Sequence, residues 1–410
     1  MKNSKWMYWL LIIIIGLFFG CEKSATFSAD QIQTIESPAL PGSQTPNLFT
    51  ANDGRIYMSW SEKIENGHAL RFSILEGNQW TKPKTIAEGD NWFVNWADFP
   101  SIAVLDDGVL AAHWPAKSGK DTYAYDVNIS FSKDGGDTWS APMIPHRDGT
   151  QTEHGFVSLL PWQQNRLFAA WLDGRKMAGN GGHDGHGSSE KEMTIRFAAI
   201  GKDGSLYDEQ ELDSRICDCC QTSAALTPDG SIVVYRDRSE EEIRDISFVR
   251  FESGKWTEPQ NLHPDNWKIV GCPVNGPAVD SNGNMVAVAW FTAANDSPKV
   301  KVILSSDGGK TFGDPIQIDD GKPVGRVDVI VLPDNSTLVS WVENRGEYAD
   351  IQIRKVDSYG NLEQPITIEQ TSSSRSSGFP IMKRNSQEIV IAWTEVGDEK
   401  IVRTAKIPLR

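Results

Sequence analysis

Cys217, Cys219 and Cys220 stand within four positions in the stretch RICDCCQTS, and only Cys21 and Cys272 accompany them in the 410-residue chain. Three roles are open to thiols at this spacing. The cysteines after position 21 can form two disulfides, as is usual in an exported protein, with three possible pairings. They can instead bind copper or zinc, because thiolate and imidazole suit those ions. They can also remain free and shape a pocket.

Histidines that could complete a metal site lie elsewhere in the chain. His183 and His186 belong to the glycine-rich segment GNGGHDGHGSSE, and His154 precedes the apolar segment GFVSLL. The hypothesis of a copper or zinc site therefore combines the four clustered cysteines with His183 and His186.

A repeated pattern indicates how the chain positions these side chains. A segment rich in Gly, Pro or Cys is followed by an apolar strand, a Gly/Asn turn and a second apolar strand that ends in an aromatic residue. Two further strand-like segments separate successive copies. Four strands in a period of about 50 residues are typical of a β-propeller blade. The seven closing aromatics are Trp60, Trp114, Trp171, Tyr235, Trp290, Trp341 and Trp393.

The repeat predicts an all-β fold, a single β-propeller of four-stranded antiparallel blades over residues 31–410, with seven blades favoured. Only KIVRTAKIPLR follows the last copy, which leaves that blade one strand short. The segment QIQTIES, residues 31–37, is similar to the outer strand of other blades. We therefore expect the N-terminal segment to close the ring.

Two turns carry a motif of a known family. SKDGGDTW (132–139) and SSDGGKTF (305–312) resemble the Asp-box, or BNR repeat, of the sialidase superfamily. The flanking copies resemble that superfamily along nearly all of the chain after its first residues. Within each turn, the aspartate is expected to accept backbone N–H groups and the aromatic residue to pack inward. The resemblance implies a propeller, with the six blades of sialidases as the alternative to seven.

Residues that recur in every blade are expected to be scaffold, so function is better sought where the recurrence breaks. The closing aromatics should pack between blades. A carboxylate follows two positions after five of them, which is more typical of scaffold than of catalysis, although one could act as an acid or base. These carboxylates are Glu62, Asp173, Asp237, Glu343 and Glu395.

Propeller topology places the remaining candidates on one face. The loop that enters the first strand of a blade and the loop that leaves its second strand lie together near the central channel. His154, Arg215, the cysteines and Arg326 enter first strands, whereas Arg236 and Arg238 follow a second strand. We expect them to form one sector of the channel face.

The family resemblance implies a particular site. Sialidases bind the substrate carboxylate with three arginines, use a Tyr activated by a Glu as nucleophile, and use an Asp as acid or base. In ADFPSIAVL (97–105), Asp98 stands where the family has its first arginine, so the triad is incomplete, and Tyr235 occupies a scaffold position. The catalytic candidates are Asp98, Asp237 and Glu343, and the substrate-binding candidates are Arg215, Arg236, Arg238, Arg326 and His154.

The N-terminus MKNSKWMYWLLIIIIGLFFGC resembles a bacterial lipoprotein signal. It predicts a signal over residues 1–21 that ends at a lipidated Cys21, followed by a tether over residues 22–30. A membrane span is the alternative, but the apolar run of about 14 residues is short of the roughly 20 needed. The net charge of −15, without a basic block, argues against nucleic acid as a partner.

These features together predict an exported, lipid-anchored monomer in the periplasm or on the cell surface. It would hydrolyse a surface or extracellular glycan as a sialidase-like glycosidase, with no cofactor required for hydrolysis. The alternative is a non-catalytic lipoprotein that binds glycan or metal through the Cys/His sector of the channel face.

Overall fold

The computed structural model describes residues 28–178 and 192–409, which form seven antiparallel sheets around one axis. This arrangement confirms the seven-bladed propeller and excludes the six-bladed alternative. Within each blade the first three strands pair in chain order. Five single-turn 3-10 helices lie among the described residues, at Ala29–Gln31, Gln163–Asn165, Arg175–Met177, Ala294–Asp296 and Arg375–Ser377.

The first three blades follow a short N-terminal strand, β1 (Gln33–Ile35). Blade 1 contains β2 (Ser43–Thr50), β3 (Ile56–Ile64), β4 (Gly67–Glu76), β5 (Gln79–Trp80) and β6 (Lys84–Gly89). Blade 2 contains β7 (Ser101–Val104), β8 (Leu110–Lys117) and β9 (Tyr125–Ser132). Blade 3 contains β10 (His154–Trp162), β11 (Arg166–Asp173), β12 (Met193–Ile200) and β13 (Leu206–Ile216).

The other four blades continue the same order. Blade 4 contains β14 (Ser223–Thr227), β15 (Gly230–Arg236), β16 (Ile246–Glu252), β17 (Lys255–Trp256) and β18 (Gln260–His263). Blade 5 contains β19 (Ala278–Asn282), β20 (Met285–Thr292), β21 (Lys299–Ser305) and β22 (Ile316–Gln317). Blade 6 contains β23 (Pro323–Val331), β24 (Thr337–Asn344), β25 (Ala349–Val356) and β26 (Ile366–Thr371). Blade 7 contains β27 (Ile381–Arg384), β28 (Glu388–Val396) and β29 (Lys400–Pro408), with β1 as its outer strand.

The N-terminal segment closes the ring, as the sequence predicts. β1 pairs antiparallel with β29, and Ile35 lies opposite Thr404. Because the first and last parts of the chain share one sheet, the blade that would otherwise lack a strand is complete.

The closing tryptophans pack between blades, and in three blades the carboxylate two positions later accepts the indole N–H. Trp171 is fully buried, and its indole nitrogen donates to the Asp173 carboxylate at 2.9 Å. The indoles of Trp60 and Trp341 donate to Glu62 and Glu343 in the same way, at 3.2 Å and 2.7 Å. A buried indole N–H needs an acceptor. The carboxylate two positions later supplies it.

The two Asp-box-like turns have the same hydrogen bonding. Asp134 accepts the backbone N–H groups of Asp137 and Thr138 and the Thr138 hydroxyl, and Asp307 accepts the equivalent groups of its own turn. Trp139 packs edge-on against Phe72 at 6.2 Å between ring centroids. Both turns follow the third strand of a blade, away from the central channel.

The innermost strands of all seven blades line a central cavity of about 530 Å³. Its wall carries polar side chains such as Asp280, Asp328 and Lys383. No helix among the described residues is both long and apolar enough to cross a membrane.

A buried histidine makes the stability of the fold depend on pH. His113 on β8 is 1% exposed, and burial lowers its pKa to about 3. The unfolded chain, with a histidine pKa near 6.5, therefore binds protons that the folded chain does not. Protonation of His113 therefore leaves the free energy of unfolding unchanged above about pH 6.5 and lowers it as the pH falls towards 3.

Lowering the pH from 7 to 5 is therefore expected to reduce the free energy of unfolding by about 2 kcal/mol through His113 alone. Urea denaturation at both pH values should show that His113→Gln removes this part of the loss. His68→Gln, at a half-exposed histidine on β4, should retain most of it. An unchanged pH dependence in His113→Gln would show that the residue does not resist protonation.

Candidate functional site

A buried tyrosine on the channel face lies between two carboxyl groups. The Tyr125 hydroxyl, at the start of β9, donates to Asp98 Oδ2 at 2.7 Å, and Glu153 Oε1 lies 3.0 Å from the same oxygen. Asp98 comes from the loop that enters blade 2, and Glu153 from the loop that enters blade 3. The site is therefore assembled by three segments of two adjacent blades.

Local backbone features hold this cluster in place. Asp98 Oδ1 accepts the backbone N–H of Phe156 at 2.9 Å, which fixes the carboxylate against β10. Gly155 leaves the space that the hydrogen bond occupies, because a Cβ there would lie 2.0 Å from Asp98 Oδ2 and 2.8 Å from the Tyr125 hydroxyl. Only glycine fits at this position.

The two carboxyl groups differ in protonation. Burial raises the pKa of Asp98 to about 6, with opposing hydrogen bonds from Tyr125 and Phe156. The pKa of Glu153 is raised well above its usual range, by burial and then by the nearby charges of Asp218, Asp98 and Cys217. Near neutral pH, Asp98 is thus mainly ionised, while burial favours the protonated form of Glu153. Such divided carboxyl groups are typical of acid–base sites.

Aromatic residues of the loop before β7 cover the cluster. Phe93 stacks on Tyr125 with ring centroids 4.0 Å apart and leaves the tyrosine fully buried. Trp96 lies nearby and stacks on Phe379. The guanidinium groups of Arg326 and Arg375 lie over the Trp96 ring at 5.2 Å and 5.9 Å. The mouth of the channel therefore combines aromatic rings with positive charge.

Arg326 is a buried cation without a carboxylate partner among the described residues. Its guanidinium donates to the Ser377 hydroxyl at 2.6 Å and to the carbonyls of Ser373 and Gly378. Burial and the neighbouring Arg375 lower its pKa to about 10. Two guanidinium groups that lack neutralising carboxylates would favour an anion beside them.

The four cysteines after position 21 meet beside the Tyr125 cluster. Cys217 Sγ lies 3.7 Å from Cys219 Sγ and 3.4 Å from Cys220 Sγ. Cys272, from the loop that enters blade 5, forms a second group with Cys219 and Asp218. All four are free thiols in this structure, so disulfides do not join them.

His154 belongs to a separate buried cluster at the boundary of blades 2 and 3. Its ring is fully buried and stacks on His146 at 3.7 Å, and its Nε2 lies 3.2 Å from Asp148 Oδ2. Burial, followed by the charge of His154, lowers the pKa of His146 to about 3. Because His154 is enclosed by these groups, it has no exposed surface to offer a substrate.

Three arginines that the sequence predicts as substrate-binding form hydrogen bonds or ion pairs with other groups of the protein. Arg236 donates to the backbone carbonyls of Asn275, Arg244 and Phe291. Arg238 pairs with Glu242 at 2.6 Å, and Arg215 pairs with Glu192 at 3.2 Å. Their charges are thus largely satisfied by the scaffold. Among the predicted residues that the structure describes, only Arg326 and Asp98 lie at the aromatic mouth or in the Tyr125 cluster.

The other predicted residues have different positions. Glu343, a catalytic candidate from the sequence, is buried and accepts the Trp341 indole N–H and the backbone N–H of Lys322, so both of its oxygens hold scaffold groups. Asp237 is half-buried, and burial together with Asp213 raises its pKa to about 6. His183, His186 and Cys21 lie outside the described residues.

Sequence reasoning missed Tyr125 and Glu153. Neither belongs to a motif, and Tyr125 follows no closing aromatic. The one available signal was position, since Glu153 directly precedes the predicted His154 in an entry loop.

No protein-family model matches this chain, and none of the curated proteins matches it either. Solved structures resemble it more clearly. The polysaccharide lyase Uly1 superposes with a TM-score of 0.54 at 9% identity, over 90% of this chain and 90% of that one. An α-L-arabinanase of Penicillium chrysogenum gives 0.51 at 12% identity, over 92% and 98% of the two chains.

A protein of unknown function from Dyadobacter fermentans gives a TM-score of 0.50 at 14% identity, over 92% of this chain and 98% of that one. At such identities the likeness establishes a shared propeller fold. It does not transfer residues or activity.

Proposed function

We propose that this chain is a glycan-acting enzyme that cleaves a glycosidic bond in an anionic glycan. The observation that carries the proposal is the Tyr125 hydroxyl held between Asp98 and Glu153 on the channel face. The names of two proteins of similar fold, an arabinanase and a polysaccharide lyase, support a glycan as the substrate class.

The cluster has the groups for nucleophilic catalysis by tyrosine. Ionised Asp98 is the base, because it already accepts the phenol proton at 2.7 Å. As that proton moves to Asp98, the phenol oxygen would bond to the anomeric carbon while the glycosidic C–O bond breaks, and the leaving oxygen would take the electron pair and a proton from solvent. Water would then cleave the tyrosyl–sugar bond, and Asp98 would return its proton to Tyr125. Glu153 Oε1, which lies 3.0 Å from the same oxygen, orients it. A tyrosine nucleophile is also what the sialidase resemblance implies.

The mouth of the channel favours an acidic sugar. Arg375 is exposed, Arg326 is buried, and both lie over the Trp96 ring without a carboxylate partner among the described residues. A guanidinium pair binds a sugar carboxylate or sulfate through parallel N–H donors. Phe93 covers Tyr125 and must move aside before the sugar reaches the hydroxyl.

The proposal is tested by the release of sugar from a panel of sialylated, uronic-acid-containing and sulfated glycans. Tyr125→Phe should lower kcat by about 100-fold or more. Tyr359→Phe, which changes a tyrosine 90% exposed on the β25–β26 turn, should leave it unchanged. Because Asp98 acts ionised, activity should rise with pH through about 6. Cleavage of no member of the panel, or full activity in a folded Tyr125→Phe variant, would overturn the proposal.

We also propose that the chain is exported and anchored to a membrane by a lipid on Cys21. The N-terminal signal-like segment supports this, and two acyl chains on one residue would give stable attachment. Cys21→Ala should abolish incorporation of labelled fatty acid and shift the protein from the membrane fraction or block its processing. Cys272→Ser is the matched control and should remain in the membrane fraction. Unchanged labelling in Cys21→Ala would exclude the anchor.

A further inference from the structure

The geometry of the cysteine cluster matches the coordination of a metal ion by thiolates. In a tetrahedral site with metal–sulfur bonds of about 2.3 Å, neighbouring sulfur atoms lie about 3.8 Å apart. The Sγ distances from Cys217 are 3.7 Å to Cys219 and 3.4 Å to Cys220, and the three sulfurs all lie within 4.8 Å of one another. A disulfide would require about 2.05 Å. The spacing of the three sulfur atoms therefore fits a shared metal ion and not disulfide bonds.

Two of the three sulfurs are buried, and an arginine lies beside one of them. Cys217 and Cys220 are 1% and 2% exposed, so water does not compete at the two inner sulfurs. Arg244, which is fully buried, donates through Nη1 to Cys217 Sγ at 3.1 Å.

Two further donors lie beside one of the three sulfurs. Cys219 belongs to a second group with Cys272 and Asp218, whose donor atoms also lie within 4.8 Å of one another. The Cys272 thiol is 3.6 Å from Asp218 Oδ1 and, unlike Cys217 and Cys220, belongs to an exposed residue. Cys219 is thus common to an inner triad of thiols and an outer group that faces solvent. An ion can enter from the Cys272 side.

We propose that Cys217, Cys219 and Cys220 bind one thiophilic metal ion, Cu(I) or Zn(II), with Cys272 or Asp218 as an additional ligand. Both ions have filled d shells and accept trigonal or tetrahedral thiolate coordination. Binding needs no oxidant or reductant. Each ligating thiol releases its proton to solvent and forms a metal–sulfur bond. The site does not depend on the proposed glycan chemistry, and its test needs no activity measurement.

The test begins with the full chain, purified in detergent under reducing conditions and freed of metal by a chelator. Zn(II) and Cu(I) are added in separate experiments, and bound metal is measured after desalting. We expect one ion per chain with one of the two metals. X-ray absorption at the edge of that metal should show at least three sulfur neighbours at about 2.3 Å.

Variants separate the inner from the outer ligands. Cys220→Ser should lower the affinity at least 100-fold, whereas Cys272→Ser should retain one ion per chain with an affinity reduced by no more than about tenfold. Arg244→Met, which removes the donor to Cys217, should weaken metal binding. Half-saturation should then require a higher metal concentration than it does in wild type. Binding should also raise the melting temperature of wild type and leave that of Cys220→Ser unchanged.

Three outcomes would overturn the proposal. Thiol titration of the denatured, air-purified chain could find none of the four cysteines free, which would make the cluster a pair of disulfides. Absorption spectra could show nitrogen or oxygen neighbours only, which would place the ion elsewhere. The third outcome is that neither metal binds at one ion per chain to protein whose thiols are shown to be reduced. Loss of glycan cleavage alone would bear on the proposed function and leave the metal site untouched.

Discussion

Replacement of Arg236 by glutamine is expected to lower the free energy of unfolding by about 3–5 kcal/mol. The guanidinium is 1% exposed and binds three backbone carbonyls, those of Asn275, Arg244 and Phe291, at distances of 2.6–3.0 Å. It also lies over the Trp267 ring at 4.8 Å. These partners come from blades 4 and 5 and the loop between them. Its removal would leave buried carbonyl groups without donors at the junction of the two blades.

Denaturation in urea measures this effect, with Arg403→Gln as the matched control. Arg403 on β29 pairs with Glu395 at a surface where both side chains are more than 40% exposed, so its loss should cost less than about 0.5 kcal/mol. Arg236→Lys should be intermediate, because a single ammonium cannot reach all three carbonyls. A loss below 1 kcal/mol in Arg236→Gln would return this arginine to the substrate-binding candidates.

Gly155→Ala is expected to destabilise the protein by about 3–5 kcal/mol and to abolish glycan cleavage. The new Cβ would lie 2.0 Å from Asp98 Oδ2, 2.7 Å from Tyr125 Cε2 and 2.8 Å from its hydroxyl. Because Gly155 belongs to β10, whose backbone pairs with Leu172 of β11, the strand cannot simply withdraw. The carboxylate must move, and its hydrogen bond with Tyr125 would break.

Thermal unfolding and sugar release should both report this change. Gly313→Ala is the control, since the nearest atom to a Cβ there is the Leu304 carbonyl oxygen at 3.8 Å, and it should alter neither measurement. A Gly155→Ala variant with wild-type stability would show that the cluster is loosely packed. Full activity in that variant would mean that the Tyr125–Asp98 hydrogen bond is not needed for the reaction.

The sequence alone was enough to predict the scaffold, because every blade of a propeller repeats the same local sequence pattern. The aromatic at the end of each second strand identified the packing between blades. The recurrence of a carboxylate two positions later suggested scaffold, and Glu62, Asp173 and Glu343 each accept the indole N–H of their own blade, although Glu343 was also a catalytic candidate. The missing strand of the last blade likewise pointed to the N-terminal segment that became β1.

Side-chain direction was decided only by the tertiary structure. Topology placed Arg236 and Arg326 on the channel face, but it could not tell which groups each guanidinium would meet. Arg236 turns towards three carbonyls of the neighbouring loop, while Arg326 turns towards the segment around Ser377 and the Trp96 ring. A buried guanidinium binds whichever acceptors the adjoining blade presents, and these belong to distant parts of the sequence.

The candidate site likewise combines features that the sequence predicted with features that only the tertiary structure decided. The four cysteines were recognisable as a cluster because entry loops of adjacent blades must lie together, whatever residues they carry. Tyr125, Asp98 and Glu153 were not recognisable, since their contact depends on the packing of three segments and on the absence of a side chain at Gly155. The repeat thus determined which loops meet on the channel face. The close packing between blades decided which of their atoms are near enough for chemistry.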